Sequence, residues 1–403
     1  MRAIFVCILL VYGISSCTNV NKKKVETDSQ KAAKAANRIN VAINSDEIDF
    51  SEFFTKAEAI KFEAGFVGSV KKLQIVKDKI ILLSGSGTKR VHIYDIGTNE
   101  MASIAEIGNG PYQFTSVRDI YTFDNSIYIL DFNTKSLHEY QLNGDFKKII
   151  PLPDYCDNAF HLNDSSLTLF KKVTYSGGKE YKINSYWAGK GGFKLRNKSL
   201  RISAIEDERD FAQLTTLYAI NDTVCLAQAF SDTIYEIYID YIAPRYILDF
   251  GAKSLPYEFY YDEKLDLREF VLQCKGSDNI WDVNCVMESN NTLFFTFRHS
   301  GGIYADIYDK SAGKNQTFKA FNDDVFLQMP EMEITEGFMP IFLDETALYF
   351  LVEPYYLREK LKHLESTDYA APQLAAKEKR PLYRFADDVN PADNPLLLKY
   401  TFR

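Results

Sequence analysis

Two arginines, a histidine and several aromatic and polar side chains are the best candidates for ligand chemistry in this chain. Guanidinium groups bind carboxylates and phosphates in a fixed geometry, and aromatic rings offer flat apolar faces edged by polar groups. A few polar groups on an aromatic surface are typical of small-molecule sites. The sequence therefore predicts binding of a glycan, a peptide or an anionic small molecule through Tyr112, Gln113, Arg118, Asp131, Trp281, Arg298 and His299.

Structural roles also explain several of these residues. Tyr112 and Trp281 have side chains that commonly pack between sheets, and Asp131 is of a type that stabilises turns. Arg118, at the start of a strand expected to line a central channel, suits an ion pair in that channel. The sequence leaves ligand contact and structural packing open for each of them.

Metal or nucleophile chemistry has weak support. The chain has five histidines among 403 residues, and it contains neither a Gly-x-Ser-x-Gly nucleophile motif nor a Cys-x-x-Cys zinc pair. We therefore predict no cofactor and no metal, and we assign no catalytic residue. Cys274 and Cys285 flank a Gly-Ser-Asp-Asn turn, and a disulfide or two separate buried thiols both fit this arrangement.

The elements that position these residues follow from a phrase that recurs through the chain. Each copy has an Asp or Asn at a turn, then alternating apolar residues, a polar gap and usually a Tyr-rich run, at intervals of 40 to 68 residues. Such intervals are typical of a propeller whose loops vary in length. The sequence predicts an all-β, six-bladed β-propeller with four-stranded antiparallel blades, in which the copies begin at Asp78, Asp124, Asp164, Asp222, Asn290 and Asp344.

The last copy of the phrase is short of strands. The chain ends in an apolar run from Leu396 to Arg403, and an early run at Glu58–Glu63 has no partner of its own. We expect these two runs to share the final blade, because that pairing covers two sheet edges at once.

Two segments, 251–280 and 353–394, interrupt the repeat. The first follows a fourth strand and the second follows a second strand, and in a propeller these two kinds of loop emerge on the same face. The candidate binding residues are assigned to that face. The second segment predicts an amphipathic helix, because apolar or long side chains recur at three- and four-residue spacing at Tyr356, Leu357, Lys360, Leu361 and Leu364.

The start of the chain predicts export. Residues 3–14 are apolar, and small residues precede Cys17 in a pattern that resembles a bacterial lipoprotein lipobox. We expect a signal peptide over 1–16, lipidation of Cys17, a flexible tether over 17–46 and the propeller over 47–403. An ordinary signal peptide or a short membrane anchor is the alternative.

Three motifs resemble those of the six-bladed β-propeller lipoproteins of the Bacteroidota, which are similar in shape to NHL-repeat proteins. They are Ile107-Gly-Asn-Gly-Pro-Tyr-Gln-Phe114, Asp232-Thr-Ile-Tyr-Glu-Ile237 and Asp393-Asn-Pro-Leu-Leu-Leu398. Gln113 departs from the family, which usually has Glu there. The resemblance implies a propeller fold and a lipid anchor, but it implies no activity.

Charge and targeting together narrow the class of function. The net charge of −8 disfavours nucleic-acid binding. We predict a membrane-tethered binding module in the cell envelope, on the periplasmic side or the outer-membrane surface, whose partner is a small ligand or an envelope protein. A lyase- or hydrolase-type propeller enzyme and a structural subunit of an outer-membrane nutrient-uptake assembly are the alternatives.

Overall fold

The computed structural model describes residues 36–43, 47–62, 67–85, 90–104, 108, 110, 113–175, 179–209, 216–366 and 393–403. The strands in these residues are β1 (Asn37–Asn40), β2 (Glu47–Asp49), β3 (Phe54–Lys61), β4 (Val70–Val76), β5 (Lys79–Ser84), β6 (Arg90–Asp95), β7 (Met101–Ile104), β8 (Val117–Phe123), β9 (Ser126–Asp131), β10 (Ser136–Gln141), β11 (Phe146–Pro151), β12 (Asn158–Asn163), β13 (Ser166–Phe170), β14 (Tyr181–Gly189), β15 (Gly192–Arg201), β16 (Thr216–Ile220), β17 (Thr223–Ala227), β18 (Thr233–Ile237), β19 (Ile242–Asp249), β20 (Trp281–Glu288), β21 (Thr292–His299), β22 (Gly302–Asp309), β23 (Lys314–Phe318), β24 (Ala320–Asp323), β25 (Met329–Glu333), β26 (Phe338–Leu343), β27 (Ala347–Val352) and β28 (Leu396–Phe402). The helices are α1 (Ala204–Arg209), α2 (Tyr257–Tyr260), α3 (Leu267–Gly276) and α4 (Pro354–Ser366).

The strands form seven sheets, which we number in chain order. Sheets 1 to 5 are β4–β7, β8–β11, β12–β15, β16–β19 with β1, and β20–β23; sheet 6 is β2, β24 and β25; sheet 7 is β26, β27, β28 and β3. First strands of the sheets pack on each other around the axis: β4 contacts β8 and β26, and β20 contacts β16 and β26. This ring of sheets around one axis is a β-propeller.

The predicted count of six blades is wrong, because the described residues form seven sheets. The sheet that the sequence analysis missed is sheet 6, which has three strands of only three to five residues and which draws β2 from the N-terminal end of the chain. Such short strands are too brief to develop an apolar alternation. Sheet 6 packs against sheet 7 through Phe321, which stacks on Phe50 at 4.0 Å and lies 5.4 Å from Phe338.

The predicted pairing of the two chain ends is confirmed. β3 pairs antiparallel with the C-terminal strand β28, in a register that runs from Leu396 opposite Lys61 to Phe402 opposite Phe54. The edge of β28 is thereby covered by a strand from the start of the domain.

The predicted tether was drawn too long. Residues 37–40 fall within its span of 17–46, yet they form β1, which pairs in parallel with β19 and is held by Arg38, whose guanidinium lies 2.8 Å from Asp249. Four residues with a single buried side chain, Ile39, give no strand pattern in the sequence. The predicted signal peptide and Cys17 lie outside the described residues.

The recurring Asp and Asn residues have a structural cause. They lie in the hairpins between first and second strands, where Asp124 and Asn125 adopt φ angles of 44° and 55°. Asn and Asp tolerate this left-handed conformation better than most residues. Asp344 acts through its side chain instead and accepts hydrogen bonds from the amides of Thr346 and Ala347 at 2.7 and 2.9 Å.

Both interruptions of the repeat contain helices. The segment between β19 and β20 holds α2 and α3, and Asp266 caps α3 by accepting from the amide of Glu269 at 2.8 Å. The predicted amphipathic helix is α4, which buries Tyr356, Leu357 and Leu361. Within the residues that the structure describes, no helix has the length and apolar character needed to cross a membrane.

Candidate functional site

The face that carries both interruptions, here called the insertion face, holds a cavity of about 370 Å³ between sheet 4 and the segment that follows it. We call this cavity the tyrosine pocket. Its lining comes from the β17–β18 loop, the segment after β19, the start of β20 and the neighbouring sheet 3. The pocket is lined by Lys182, Leu200, Gln228, Ala229, Phe230, Ser231, Asp232, Tyr235, Phe250, Ser254, Leu255, Tyr257, Tyr260, Tyr261, Ile280, Trp281 and Val283.

Trp281 is the inner anchor of this pocket. Only 4% of its surface is exposed, and it belongs to a small core with Tyr260, Phe270 and Cys274. Burying large aromatic rings is strongly favourable, so this core fixes the inserted helices α2 and α3 against the start of β20. The pocket therefore has a rigid wall, although the segment that covers it, between β19 and β20, is an insertion into the repeat.

A shelf of tyrosines forms the mouth of the pocket. Tyr257 is 69% exposed and lies over Tyr261, with ring centres 4.3 Å apart at 35°. Tyr261 in turn meets the buried Tyr260 edge-on, at 4.7 Å and 88°. An exposed ring held by a second ring offers a flat apolar surface whose geometry is already ordered before a ligand arrives.

The pocket also has a polar wall. The buried ammonium group of Lys182 donates to the side-chain oxygen of Gln228 at 2.7 Å, which links sheets 3 and 4. Asp232 is exposed at the rim. The pocket thus combines aromatic rings with a small number of polar groups, as small-molecule sites usually do.

Beside the pocket lies a group of four residues that we call the Trp281 cluster: Trp281, Asp282, Arg298 and His299. Trp281 and Arg298 face each other across β20 and β21, and the guanidinium carbon lies 5.8 Å from the indole centre. The Nε of Arg298 donates to Asp282 at 2.8 Å. The structure therefore brings three of the predicted site residues together.

The backbone at Asp282 is strained. Its φ is 55° at the second residue of β20, and the register of β20 with β21 shifts on either side of Asn284. Left-handed residues in bulged strands concentrate at functional sites. Burial raises the pKa of Asp282, and the hydrogen bond from Arg298 opposes that rise only in part.

The insertion is tied to the Trp281 cluster by ionic hydrogen bonds. Lys253 holds both oxygens of Asp278, at 2.6 and 2.7 Å, and the Nε2 of His299 lies 2.7 Å from the same carboxylate. The hydrogen bond from Lys253, followed by that of His299, lowers the pKa of Asp278. His299 thus has one nitrogen committed to Asp278.

Three buried polar atoms of the Trp281 cluster have no hydrogen-bond partner in the protein among the described residues. They are the Nε1 of Trp281, the Oδ1 of Asp282 and the Nδ1 of His299. A buried polar atom without a partner costs roughly 1–3 kcal/mol, so such atoms are rare and need an explanation. All three atoms belong to this one cluster, which makes it a candidate for binding.

Arg118 lies away from the tyrosine pocket, and the protein itself supplies the partners of the polar groups around it. It forms an ion pair with Asp157, a carboxylate that is only 4% exposed, and the second oxygen of Asp157 accepts from the amide of Lys172 at 2.7 Å. The guanidinium carbon lies 5.3 Å from the ring centre of Phe132. This arrangement fits the ion-pair role that the sequence left open.

Asp131 holds a turn. It is fully buried and accepts from the amides of Thr115 and Ser116 at 2.7 and 3.2 Å, and from the amide of Asn133 at 3.1 Å. The hydroxyl of Thr115 donates to it as well. No oxygen of this carboxylate is left for a ligand, so Asp131 stabilises the end of β9.

Gln113 closes the junction between sheets 1 and 2. Its side-chain oxygen accepts from the amide of Gly110 at 2.8 Å, and any side chain at Gly108 would overlap it. This contact explains the glycines of the junction motif. Tyr112 lies outside the described residues, and Gln113 is not brought to the tyrosine pocket.

The sequence analysis missed the tyrosines of the pocket. Tyr257, Phe259, Tyr260 and Tyr261 form an aromatic run inside the first insertion, and that run was the signal that could have found them. The four cysteines Cys156, Cys225, Cys274 and Cys285 are all free thiols. Among the described residues, no group of three acidic, histidine or cysteine side chains is arranged to hold a metal.

A second cavity, of about 450 Å³, opens on the opposite face near the axis. It is bordered by His161, which is bonded to the hydroxyl of Tyr121 at 2.8 Å and stacked on Phe123. Burial lowers the pKa of His161 to about 4, so this histidine is neutral at neutral pH. The acidic residues at the rim of this cavity, such as Asp124, belong to the hairpin turns described above.

Comparison with solved structures finds matches from two Bacteroides species. A putative exported protein from Bacteroides fragilis matches with 16% identity and a TM-score of 0.65, over 91% of this chain and 99% of its own. A member of the DUF4221 family from Bacteroides vulgatus matches with 12% identity and a TM-score of 0.47, over 86% and 98%. The first likeness shows a shared fold and nothing about chemistry.

No protein of curated function matches the chain. A protein-family model matches the chain over a span that begins one residue before β1 and ends inside β28, so the match covers all seven sheets. Over residues 36–401 the sequence fits DUF4934, a domain of unknown function, and the chain belongs to that family.

Proposed function

We propose that this protein is an extracytoplasmic binding module, tethered by lipid, that takes its ligand at the tyrosine pocket. The observation that carries the proposal is the ordered shelf of Tyr257 and Tyr261 at the mouth of an aromatic cavity. Propellers are rigid platforms whose loops commonly form binding sites, and this pocket is built from such loops.

The lining of the pocket favours binding over the other two functions that the sequence leaves open. Apart from the tyrosines, its ionisable side chains are Lys182, which is bonded to Gln228, and the exposed Asp232. Catalytic sites usually bring several ionisable groups together with perturbed pKa values. A broad apolar patch on the surface would favour the role of a structural subunit. Among the described residues, the most exposed large ring, Tyr257, instead belongs to the concave pocket.

Replacing Tyr257 with Ala tests the pocket. Because the ring is largely exposed, the fold should be unaffected to within about 0.5 kcal/mol, while affinity should fall about tenfold through loss of stacking area. Binding would be measured on immobilised panels of oligosaccharides and peptides, and hits would be titrated by calorimetry.

The matched control is Tyr238→Ala. Tyr238 is also an exposed tyrosine stacked on a second one, Tyr241 at 4.6 Å, but it lies in the turn between β18 and β19, on the face opposite the pocket. The proposal fails if both variants bind alike, or if only the control loses affinity.

The lipid tether and the envelope location are part of the same proposal. They are supported by the apolar run that precedes Cys17 and by the name of the Bacteroides fragilis relative, which describes that protein as exported. Cys17→Ala should abolish lipid labelling and release the full chain from membrane fractions. Cys7→Ala, inside the apolar run, is the control that should remain membrane-bound; continued lipid labelling of the Cys17 variant would refute the anchor.

A further inference from the structure

The three orphaned atoms of the Trp281 cluster differ in what they need. The Nε1 of Trp281 carries a hydrogen and can only donate. The Nε2 of His299 is held 2.7 Å from the carboxylate of Asp278, which is an acceptor only, so Nε2 carries a proton, and in the neutral form of the ring Nδ1 is an acceptor. The free oxygen of Asp282 is a second acceptor in the ionised form.

One orphaned donor beside two orphaned acceptors calls for a particular partner. A hydroxyl group donates one hydrogen bond and accepts others, whereas an ammonium group only donates and a carboxylate only accepts. Of the four cluster residues, only Trp281 is among those that line the tyrosine pocket, so a ligand in that pocket meets the cluster at the indole.

We propose that the ligand of the tyrosine pocket is a polyhydroxylated sugar, with one of its oxygens accepting from the Nε1 of Trp281 and its ring face resting on the Tyr257 shelf. This inference rests on the proposed binding function and selects the glycan among the ligand classes that the sequence leaves open. A peptide would bring mainly amide groups, which lack the paired donor and acceptor on a single atom.

The size of the pocket admits a sugar ring, because its volume of about 370 Å³ lies within the range of small-molecule sites. Tyr257 lines the pocket and is largely exposed, so its ring could also carry the next sugar of a chain. The inferred ligand is therefore an oligosaccharide whose terminal or branching unit enters the pocket.

The two tryptophans of the chain allow a direct test. Trp187 lies on sheet 3, in the hairpin of β14 and β15, is 45% exposed and does not line the pocket, so Trp187→Phe leaves Trp281 as the sole indole reporter. Full-length Trp187→Phe protein would be titrated with xylo-, manno-, cello- and malto-oligosaccharides and, separately, with a panel of short peptides. Tryptophan emission should change saturably with at least one sugar series.

The matched variant is Trp281→Phe, which keeps an aromatic ring but removes the N–H group. Its remaining reporter, Trp187, should be silent, and calorimetry should show about tenfold weaker sugar binding, the loss expected for one hydrogen bond in a desolvated site. Asp282→Asn, which suits the left-handed backbone at that position, should weaken binding as well.

The outcomes separate this inference from the proposed function. Sugar binding with unchanged affinity in Trp281→Phe would overturn the role of the indole N–H. Titration of Trp281 by peptides and not by sugars would overturn the sugar assignment while leaving a binding pocket in place. Silence of Trp281 toward both panels would overturn the proposed binding function together with the inference.

Discussion

Two arginine–aspartate pairs on the insertion face make an informative contrast. At the start of sheets 2 and 3, Arg118 pairs with Asp157, and both carboxylate oxygens have partners, from Arg118 and from the amide of Lys172. At the start of sheet 5, Arg298 bonds one oxygen of Asp282 and leaves the other buried and unpaired.

The difference distinguishes polar groups that stabilise the fold from polar groups that are available to bind a ligand. A buried network that satisfies every member stabilises one arrangement of the fold, whereas a partly satisfied network carries an energetic cost that folding alone does not explain. Both pairs consist of an arginine and an aspartate, so residue type does not distinguish them. The number of hydrogen bonds to the carboxylate does. We therefore expect substitutions at the first pair to affect stability and substitutions at the second to affect binding.

The largest expected effect is at Asp131, beside the first pair. Asp131→Ala removes the acceptor for the amides of Thr115, Ser116 and Asn133. The free energy of unfolding should fall by about 3–5 kcal/mol, because these donors would be left buried without a partner. Urea denaturation measures the loss. Asp145→Ala, at an exposed turn, should change stability by less than about 0.5 kcal/mol, and equal losses in the two variants would contradict the assigned role.

A matched pair of arginine substitutions tests the contrast itself. Arg118→Ala should cost about 1–2 kcal/mol of unfolding free energy, since it strands the buried Asp157 but the guanidinium is partly exposed. Arg298→Ala should cost less than about 1 kcal/mol, because the raised pKa of Asp282 lets that carboxyl take up a proton instead.

Ligand affinity should respond in the reverse order, with Arg298→Ala weakening binding and Arg118→Ala leaving it unchanged. Chemical denaturation and calorimetry on the same preparations would give both quantities. Loss of binding in the Arg118 variant alone would reverse the assignment of the two pairs.

The smallest effect is a pH dependence at Asp282. Burial raises its pKa in the folded protein above the ordinary value of 3.8, so the folded state binds this proton more tightly than the unfolded chain. Ionisation therefore destabilises the fold as the pH rises from the ordinary pKa through the raised one. Asp282→Asn removes that cost, so its stability relative to the native protein should increase as the pH rises from about 4 through the raised pKa. A constant difference across this range would show that Asp282 does not titrate in this way.

Long repeated elements of the fold were predictable from sequence, and short ones were not. The turn phrase from Asp78 onward indicated four-stranded antiparallel sheets, because five or six residues that alternate between apolar and polar types form a clear pattern in the sequence. The pairing of β3 with β28 followed from the need to cover an edge. The count of blades failed at sheet 6, and the tether failed at β1, since strands of three or four residues are stabilised by tertiary contacts that leave no local pattern.

The site was predictable in part for a similar reason. Trp281, Arg298 and His299 were selected because rare, chemically versatile residues stand out in a sequence, and the structure places them together; their part in binding stays a prediction. Asp131 and Gln113 were chosen on the same grounds, yet their hydrogen bonds close turns, and only coordinates reveal that. Trp281 also proved to be deeply buried, so Trp281→Ala should destabilise the fold; removal of such a ring typically costs about 3–5 kcal/mol.

The strand pairing that closes the propeller has a consequence for how the chain reaches its native state. β3 is synthesised long before its partner β28. The ring therefore stays open until β28 has been made, and closure must bring together segments more than 300 residues apart in sequence. Folding of this domain should accordingly be limited by a slow, long-range closing step, during which the edges of sheet 7 depend on dilution or chaperones to avoid wrong partners.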